Sequence, residues 1–129
     1  GVVTASDDET ARVWNAENGT LLLVLEGHTS FLRGCAFSPN GERIVTACGD
    51  GKARVFSAET GECQLTVEGE HTRSVTCCCF SHDGKYILTS SKDKTTRLWN
   101  ATDVTLIQTL RHEDGLWNGA FSFDDKLIV

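Results

Sequence analysis

The 129-residue sequence predicts an all-β chain built from repeated four-stranded antiparallel units. Self-similarity is the first sign. Thr4 to Asn15 returns as Thr46 to Ser57 and again as Thr89 to Asn100, so Trp14, Phe56 and Trp99 recur at a period of about 42 residues. A second block, His28 to Phe37, repeats with the same internal spacing at His71 to Phe80 and His112 to Phe121. The second sign is a succession of short β-branched and aromatic runs, each closed by Gly, Pro, Asn or Asp. The third is that no window sustains apolar residues at helical spacing.

The elements follow in order. Leu32 to Phe37 is apolar and stops at Ser38-Pro39-Asn40-Gly41, a hairpin turn in which Gly41 supplies positive φ. Arg43 to Cys48 is rich in β-branched residues and runs into a polar turn around Asp50. Ala53 to Ser57 is the third strand, and Glu59-Thr60-Gly61 turns the chain into Cys63 to Val67. The next unit repeats this plan with Asp83-Gly84 in its first turn. Residues 32–67 and 75–110 therefore read as whole units. Residues 1–26 supply strands two to four of a unit. Residues 116–129 supply an innermost strand, Leu116 to Phe121, and the start of a second strand at Lys126 to Val129. Val129 aligns with Val3, so Gly1 to Val3 and Leu127 to Val129 compete for one strand. The chain opens mid-pattern, with no initiator Met and no signal-peptide pattern, and reads as a piece cut from something longer.

Composition narrows the function classes. The chain is 40% hydrophobic and 23% charged, ordinary for a globular domain. Its longest apolar run, Leu21 to Leu25, is far short of the roughly 18 residues of a membrane span. A net charge of −6 and a pI near 5.1, with basic residues scattered singly, argue against nucleic acid and against an anionic membrane surface. Six cysteines would suit a disulfide framework. However, Cys77, Cys78 and Cys79 are consecutive in an apolar run, and Cys35, Cys48 and Cys63 stand alone in β-like stretches. With no Cys-x-x-Cys, they read as small buried hydrophobes in a reducing compartment, with no metal site.

Gly27-His28, the Ser38-Pro39-Asn40-Gly41 turn, and the closing Arg12-Val13-Trp14-Asn15 and Arg97-Leu98-Trp99-Asn100 resemble the tryptophan–aspartate (WD) repeat of β-propellers. The resemblance covers the whole chain. It implies about three four-stranded blades, each running from innermost to outermost strand. The departures are Asn15, Ser57 and Asn100 in place of the closing Asp, Phe56 in place of a Trp, and Gly69-Glu70-His71 and Arg111-His112 in place of Gly-His. The resemblance also implies a buried polar network on His71, Ser91, Asp93 and Trp99. In it Asp93 accepts from one ring nitrogen of His71, the other ring nitrogen takes the Ser91 hydroxyl, and Ser91 accepts from the Trp99 indole. The pattern returns as His28, Cys48, Asp50 and Phe56, and again as Ser6, Asp8 and Trp14, for which His112 is the missing histidine.

A Ser–His–Asp hydrolase triad is the sharp alternative for such residues. Repetition speaks against it, since an active site occurs once per domain and a strut once per blade. No catalytic residue, cofactor or metal is therefore expected. The resemblance places partner binding on the narrow face, formed by loops before the innermost strand and between the second and third strands. Those positions hold Phe31, Arg33, Arg73, Thr76 and Trp117, with Asp7, Gly49 and Lys92 in the other loop. Arg12, Arg54 and Arg97 recur at one position and read as cover for a blade surface. The expected function is a non-catalytic scaffold for proteins or peptides, cytoplasmic or nuclear. The alternatives are a propeller hydrolase and a sensor segment of a larger signalling protein. Three blades are too few to close a ring of about 4 to 8 or more, so head-to-tail pairing into a homodimer of six blades or a homotrimer of nine is expected.

Overall fold

Each repeat becomes one antiparallel sheet. A computed structural model describes residues 1–67, 69, 71–116 and 118–129, and among these there is no helix. β1 (Val2–Ala5), β2 (Ala11–Trp14) and β3 (Leu21–Leu25) form a three-stranded sheet in that order. β4 (Leu32–Phe37), β5 (Arg43–Cys48), β6 (Ala53–Ser57) and β7 (Cys63–Val67) form a four-stranded sheet. β8 (Val75–Phe80), β9 (Tyr86–Ser91), β10 (Thr95–Asn100) and β11 (Leu106–Arg111) form another.

Register makes the three sheets equivalent. Ile44 stands opposite Phe56, Ile87 opposite Trp99 and Val2 opposite Trp14. β1 therefore occupies the place of β5 and β9, and the first sheet has no counterpart of β4 or β8. In the two complete sheets the innermost strand bulges at matching points, Arg33 and Thr76, where one extra residue interrupts the ladder.

Both faces of the middle sheet are buried, which explains the nearly unbroken apolar runs of its strands. Alternation along β5 sends Ile44 toward the first sheet and Val45 toward the third. Ile44, Phe56 and Leu32 pack with Ala11, Val13 and Leu25. Val45, Ala47, Val55 and Val67 pack with Val75, Phe80, Ile87 and Trp99. The outer strands remain accessible, with Leu21, Leu22, Leu106 and Ile107 all exposed.

One turn recurs three times. The Ser38 hydroxyl donates to Asn40 and accepts the Arg43 N–H, as Ser81 does with Asp83 and Tyr86, and Ser122 with Asp124 and Leu127. The fourth residue of each turn has positive φ: Gly41 at 75°, Gly84 at 74° and Asp125 at 58°. Only the last carries a side chain, and it has a task. Its carboxylate accepts the backbone N–H of His82 at 2.8 Å and of Asp83 at 2.9 Å, and it meets His82 Nδ1 at 2.8 Å.

The expected innermost strand from Leu116 to Phe121 differs in the structure. Its described residues form no strand. They dock through the Leu116 N–H on Ser91 O and bridge Phe121 to Ile128. Strand geometry is sustained by a paired ladder, and here the pairing reaches only from Ala120–Val129 to Ser122–Leu127.

Candidate functional site

The polar networks lie where each β-hairpin turn folds back over its sheet. In the third sheet His71 Nδ1 donates to Asp93 Oδ2 at 2.8 Å, and His71 Nε2 takes the Thr89 hydroxyl at 2.7 Å. The Trp99 indole N–H donates to the same Thr89 oxygen at 2.8 Å. Burial raises the Asp93 pKa, but the Thr95 hydroxyl, His71 and the Thr72 N–H outweigh it and hold the carboxyl at about 2. Asp93 is thus the anion on which His71 and Arg97 converge, with Arg97 Nη1 3.4 Å away.

The linking hydroxyl is Thr89, not the expected Ser91. A strand rises about 3.3 Å per residue, so Ser91 lies one two-residue step too far along β9 for the Trp99 ring to reach. Ser91 instead donates to Arg73 O and accepts the Asp93 N–H, which fixes the turn. The same correction holds elsewhere. Thr4, not Ser6, accepts from the Trp14 indole at 2.9 Å, while Ser6 accepts the Asp8 N–H. Thr46, not Cys48, meets His28 Nε2 at 3.0 Å. A signal for this was available, because Thr4, Thr46 and Thr89 each stand at the head of a repeat, at constant distance from the aromatic.

His28 departs further. Its Nδ1 donates to Glu9 O at 3.0 Å, across to the first sheet, and not to Asp50. Burial, seconded by Arg54, pulls the His28 pKa down. Its ring lies 5.3 Å from Phe56, which offers no donor to Thr46. His112 is exposed, its backbone N–H bonds Lys94 O, and it does not join Ser6, Asp8 or Trp14 within one chain.

Arg12, Arg54 and Arg97 do not cover a blade surface. Each reaches back to the turn aspartate four residues earlier. Arg12 meets Asp8 at 2.7 Å and Arg54 meets Asp50 at 2.8 Å. The Arg54 and Asp50 side chains are 7% and 11% exposed, against 36% and 44% for Arg12 and Asp8. Burial works against the Asp50 carboxylate, yet Arg54 and the Thr29 hydroxyl hold its pKa well below the usual range. The Thr10 hydroxyl and N–H bring Asp8 to about 2. Regular Asp-to-Arg spacing over four residues was visible in the sequence. Here a tight turn between two strands brings the two together.

The residues expected to meet a partner divide into three groups. Arg33, Phe31 and Asp7 come together: the Arg33 guanidinium sits 4.3 Å over the Phe31 ring and 3.4 Å from Asp7 Oδ1. The ring packs on Gly49, where an added Cβ would fall 2.6 Å from it. Arg73 and Lys92 lie together with Lys94 and Gly115 around a cleft of about 300 Å³. Thr76 is different. It is 7% exposed and donates to Ser90 O and to Leu116 O at 2.7 Å, so it fastens the C-terminal segment and faces no partner. Trp117 lies outside the described residues.

All six thiols are free. Cys48 and Cys78 are buried as expected, whereas Cys63 is exposed on the outer strand. No cluster of three or more His, Cys, Asp or Glu suited to a metal occurs among the described residues.

The family model described as WD domain, G-beta repeat matches residues 19–57 and 61–100. A probable cytosolic Fe-S cluster assembly factor of Schizosaccharomyces japonicus is 35% identical over 106 residues, covering 79% of this chain and 17% of that protein. Lissencephaly-1 homolog 1 of Paramecium tetraurelia is 33% identical over 99 residues, covering 76% of this chain and 24% of its own. Nuclear distribution protein PAC1 of Mycosarcoma maydis is 46% identical over 44 residues, covering 34% of this chain and 10% of its own. The chain thus spans a quarter or less of these curated relatives. With repeated antiparallel sheets, a threonine that bonds a histidine or a tryptophan in each of them (Thr4, Thr46 and Thr89) and two matched repeats, the chain belongs to the WD domain, G-beta repeat family.

Proposed function

We propose that this chain is a non-catalytic scaffold that binds proteins or peptides through the loop end carrying Phe31, Arg33, Asp7, Arg73 and Lys92, with Trp117 at the position equivalent to Arg33. One observation carries the reading. In the middle and third sheets the His and Asp groups that look catalytic are spent on internal bonds, while Phe31 and Arg33 at the loop end are replaced by Ser74 and Thr76 from one sheet to the next. Members of the family serve generally as interaction scaffolds. The setting is cytoplasmic or nuclear, and the name of one relative, a probable cytosolic Fe-S cluster assembly factor, supports the first. Affinity capture of partners with the chain tests the reading, compared against a Phe31→Ala/Arg33→Ala variant and against Lys85→Ala at the opposite end. Partners lost only with the first variant support it; the same partners retained by both overturn it.

A specific pairing favours self-association as well. β1 has no strand on its inner side, and the C-terminal segment carries the inner hairpin turn of a further blade. That segment from a second copy would supply the strand beside β1 and bring His112 to Thr4 and Trp14. Closure by two or three copies gives a homodimer or homotrimer of two or three times 14.1 kDa. Light scattering after size-exclusion chromatography tests this. A folded 14.1 kDa monomer would refute it and assign the completion of that blade to other segments.

A further inference from the structure

We propose that Asn118 is a self-modifying residue: the Gly119 nitrogen attacks its side-chain carboxamide and expels ammonia, hydrolysis leaves aspartate and isoaspartate, and the Cys77 thiol stabilises the carboxamide oxygen during the attack.

The sequence holds three Asn-Gly pairs, at 18–19, 40–41 and 118–119. Glycine in second place suits this reaction, because no Cβ shields the attacking nitrogen. The structure separates the three. Gly19 and Gly41 lie in the left-handed region, at φ 70° and 75°, and their N–H groups are spent within turns, on Asn15 O at 2.9 Å and Ser38 O at 2.8 Å. Their asparagines are tied elsewhere. Asn18 Oδ1 accepts the Thr20 N–H and hydroxyl, and Asn40 Oδ1 accepts from the Ser38 hydroxyl and the Glu42 N–H.

Asn118 is arranged otherwise. The Gly119 N–H donates to Asn118 Oδ1 at 2.9 Å, which holds the nucleophile beside the carboxamide it attacks. Cys77 Sγ donates to the same oxygen at 2.8 Å. Gly119 cannot easily swing away: an added Cβ would fall 2.7 Å from Ser90 Oγ, and its carbonyl accepts from Cys77 at 3.4 Å.

The chemistry balances with water alone. Asn118 is exposed, so hydroxide can remove the Gly119 amide proton. As the nitrogen bonds to Cγ, the carbonyl electron pair moves onto Oδ1, where the thiol donates to the growing charge. Burial raises the Cys77 pKa, so the thiol keeps the proton it needs for this. Breaking the Cγ–Nδ2 bond releases ammonia, which takes its proton from water, and a cyclic imide remains. Water then opens the imide at either carbonyl. Both products place a carboxylate between Leu116, held by Thr76, and Ala120, paired with Val129. Isoaspartate also lengthens the main chain there by one methylene.

Peptide mapping by mass spectrometry during incubation of the folded chain at neutral pH reads all three sites at once. Asn118 should convert about tenfold or more faster than Asn18 and Asn40, and the three rates should converge in urea, where the geometry is lost. This comparison needs no substitution. Cys77→Ala should slow Asn118 about tenfold, the worth of one hydrogen bond to developing charge. Cys77→Ser, which keeps a donor, should hold the original rate. Conversion of Asn118 no faster than that of the other two would overturn the site itself. An unchanged or faster rate in Cys77→Ala would overturn the role of the thiol.

Discussion

Thr89 stands between His71 and Trp99, 2.7 Å from the imidazole and 2.8 Å from the indole nitrogen, and it is fully buried. Thr46 has the same place in the middle sheet but faces His28 at 3.0 Å and Phe56, which has no hydrogen to donate. Two threonines of equal burial therefore satisfy different numbers of neighbours.

Replacing each with valine should expose that difference. Thr89→Val leaves a buried indole N–H and a ring nitrogen without partners and should cost about 2–4 kcal/mol, whereas Thr46→Val strands one ring nitrogen and should cost about 1–2 kcal/mol. Urea unfolding of both variants measures the gap. Equal losses would mean that the indole bond adds nothing.

The turn aspartates form a graded series. Asp50→Ala leaves the Arg54 guanidinium buried without its counter-ion and should destabilise by about 3–5 kcal/mol. Asp8→Ala should shift the midpoint far less, since Arg12 is open to water. The ordering is checked by thermal unfolding, and a larger loss at Asp8 would contradict it.

Acid should unfold the chain in a defined window. The folded pKa of Asp93, about 2, lies below its unfolded value of about 3.9, so its stabilisation is complete above that value and disappears as pH falls toward 2. Asp93→Asn should flatten the dependence of stability on pH between about 4 and 2. An unchanged slope would assign the acid sensitivity to other carboxylates.

Thiol reactivity should follow burial. Burial, reinforced by Cys77 and Asp125, pushes Cys79 to about 11, and burial also raises Cys78 well above the ordinary thiol value. Under native alkylation Cys63 should react first, and Cys78 only after unfolding. Mass spectrometry of a time course reads the order directly, and early modification of Cys78 would overturn it.

Asp125 holds the C-terminal hairpin to the third sheet through two backbone N–H groups and one imidazole. Asp125→Ala should speed amide hydrogen exchange at Ala120 and Val129, while His82→Ala should do so less because both backbone donors remain. Similar exchange in the two variants would place the anchor in the imidazole.

Strand limits were easiest to read from sequence. Leu32–Phe37, Arg43–Cys48, Ala53–Ser57 and Cys63–Val67 coincide with β4 to β7, because turn residues with their own chemistry mark each end. The struts were legible as residue types but not as bonds. Thr89, Ser90 and Ser91 offer three adjacent hydroxyls, and only the direction and reach of the Trp99 ring select among them. The inward Arg54 and Arg97 were misread because composition gives no sign that a turn folds an aspartate over its own sheet. The Asp125 clamp had a trace in sequence, an acidic residue where Gly41 and Gly84 stand, but its partners lie some forty positions earlier.

The inward-facing ion pairs divide the labour of the chain among different positions. Folding draws on residues 50, 54, 93 and 97, whose charges never reach the surface in strength. Positions 31, 33 and 73 stand apart from those pairs, and the structure asks little of the side chains at 33 and 73 beyond tolerating water. On the proposed reading, in which those outer positions meet the partner, a lineage carrying this architecture can exchange one partner for another by altering them, without passing through an unfolded intermediate genotype.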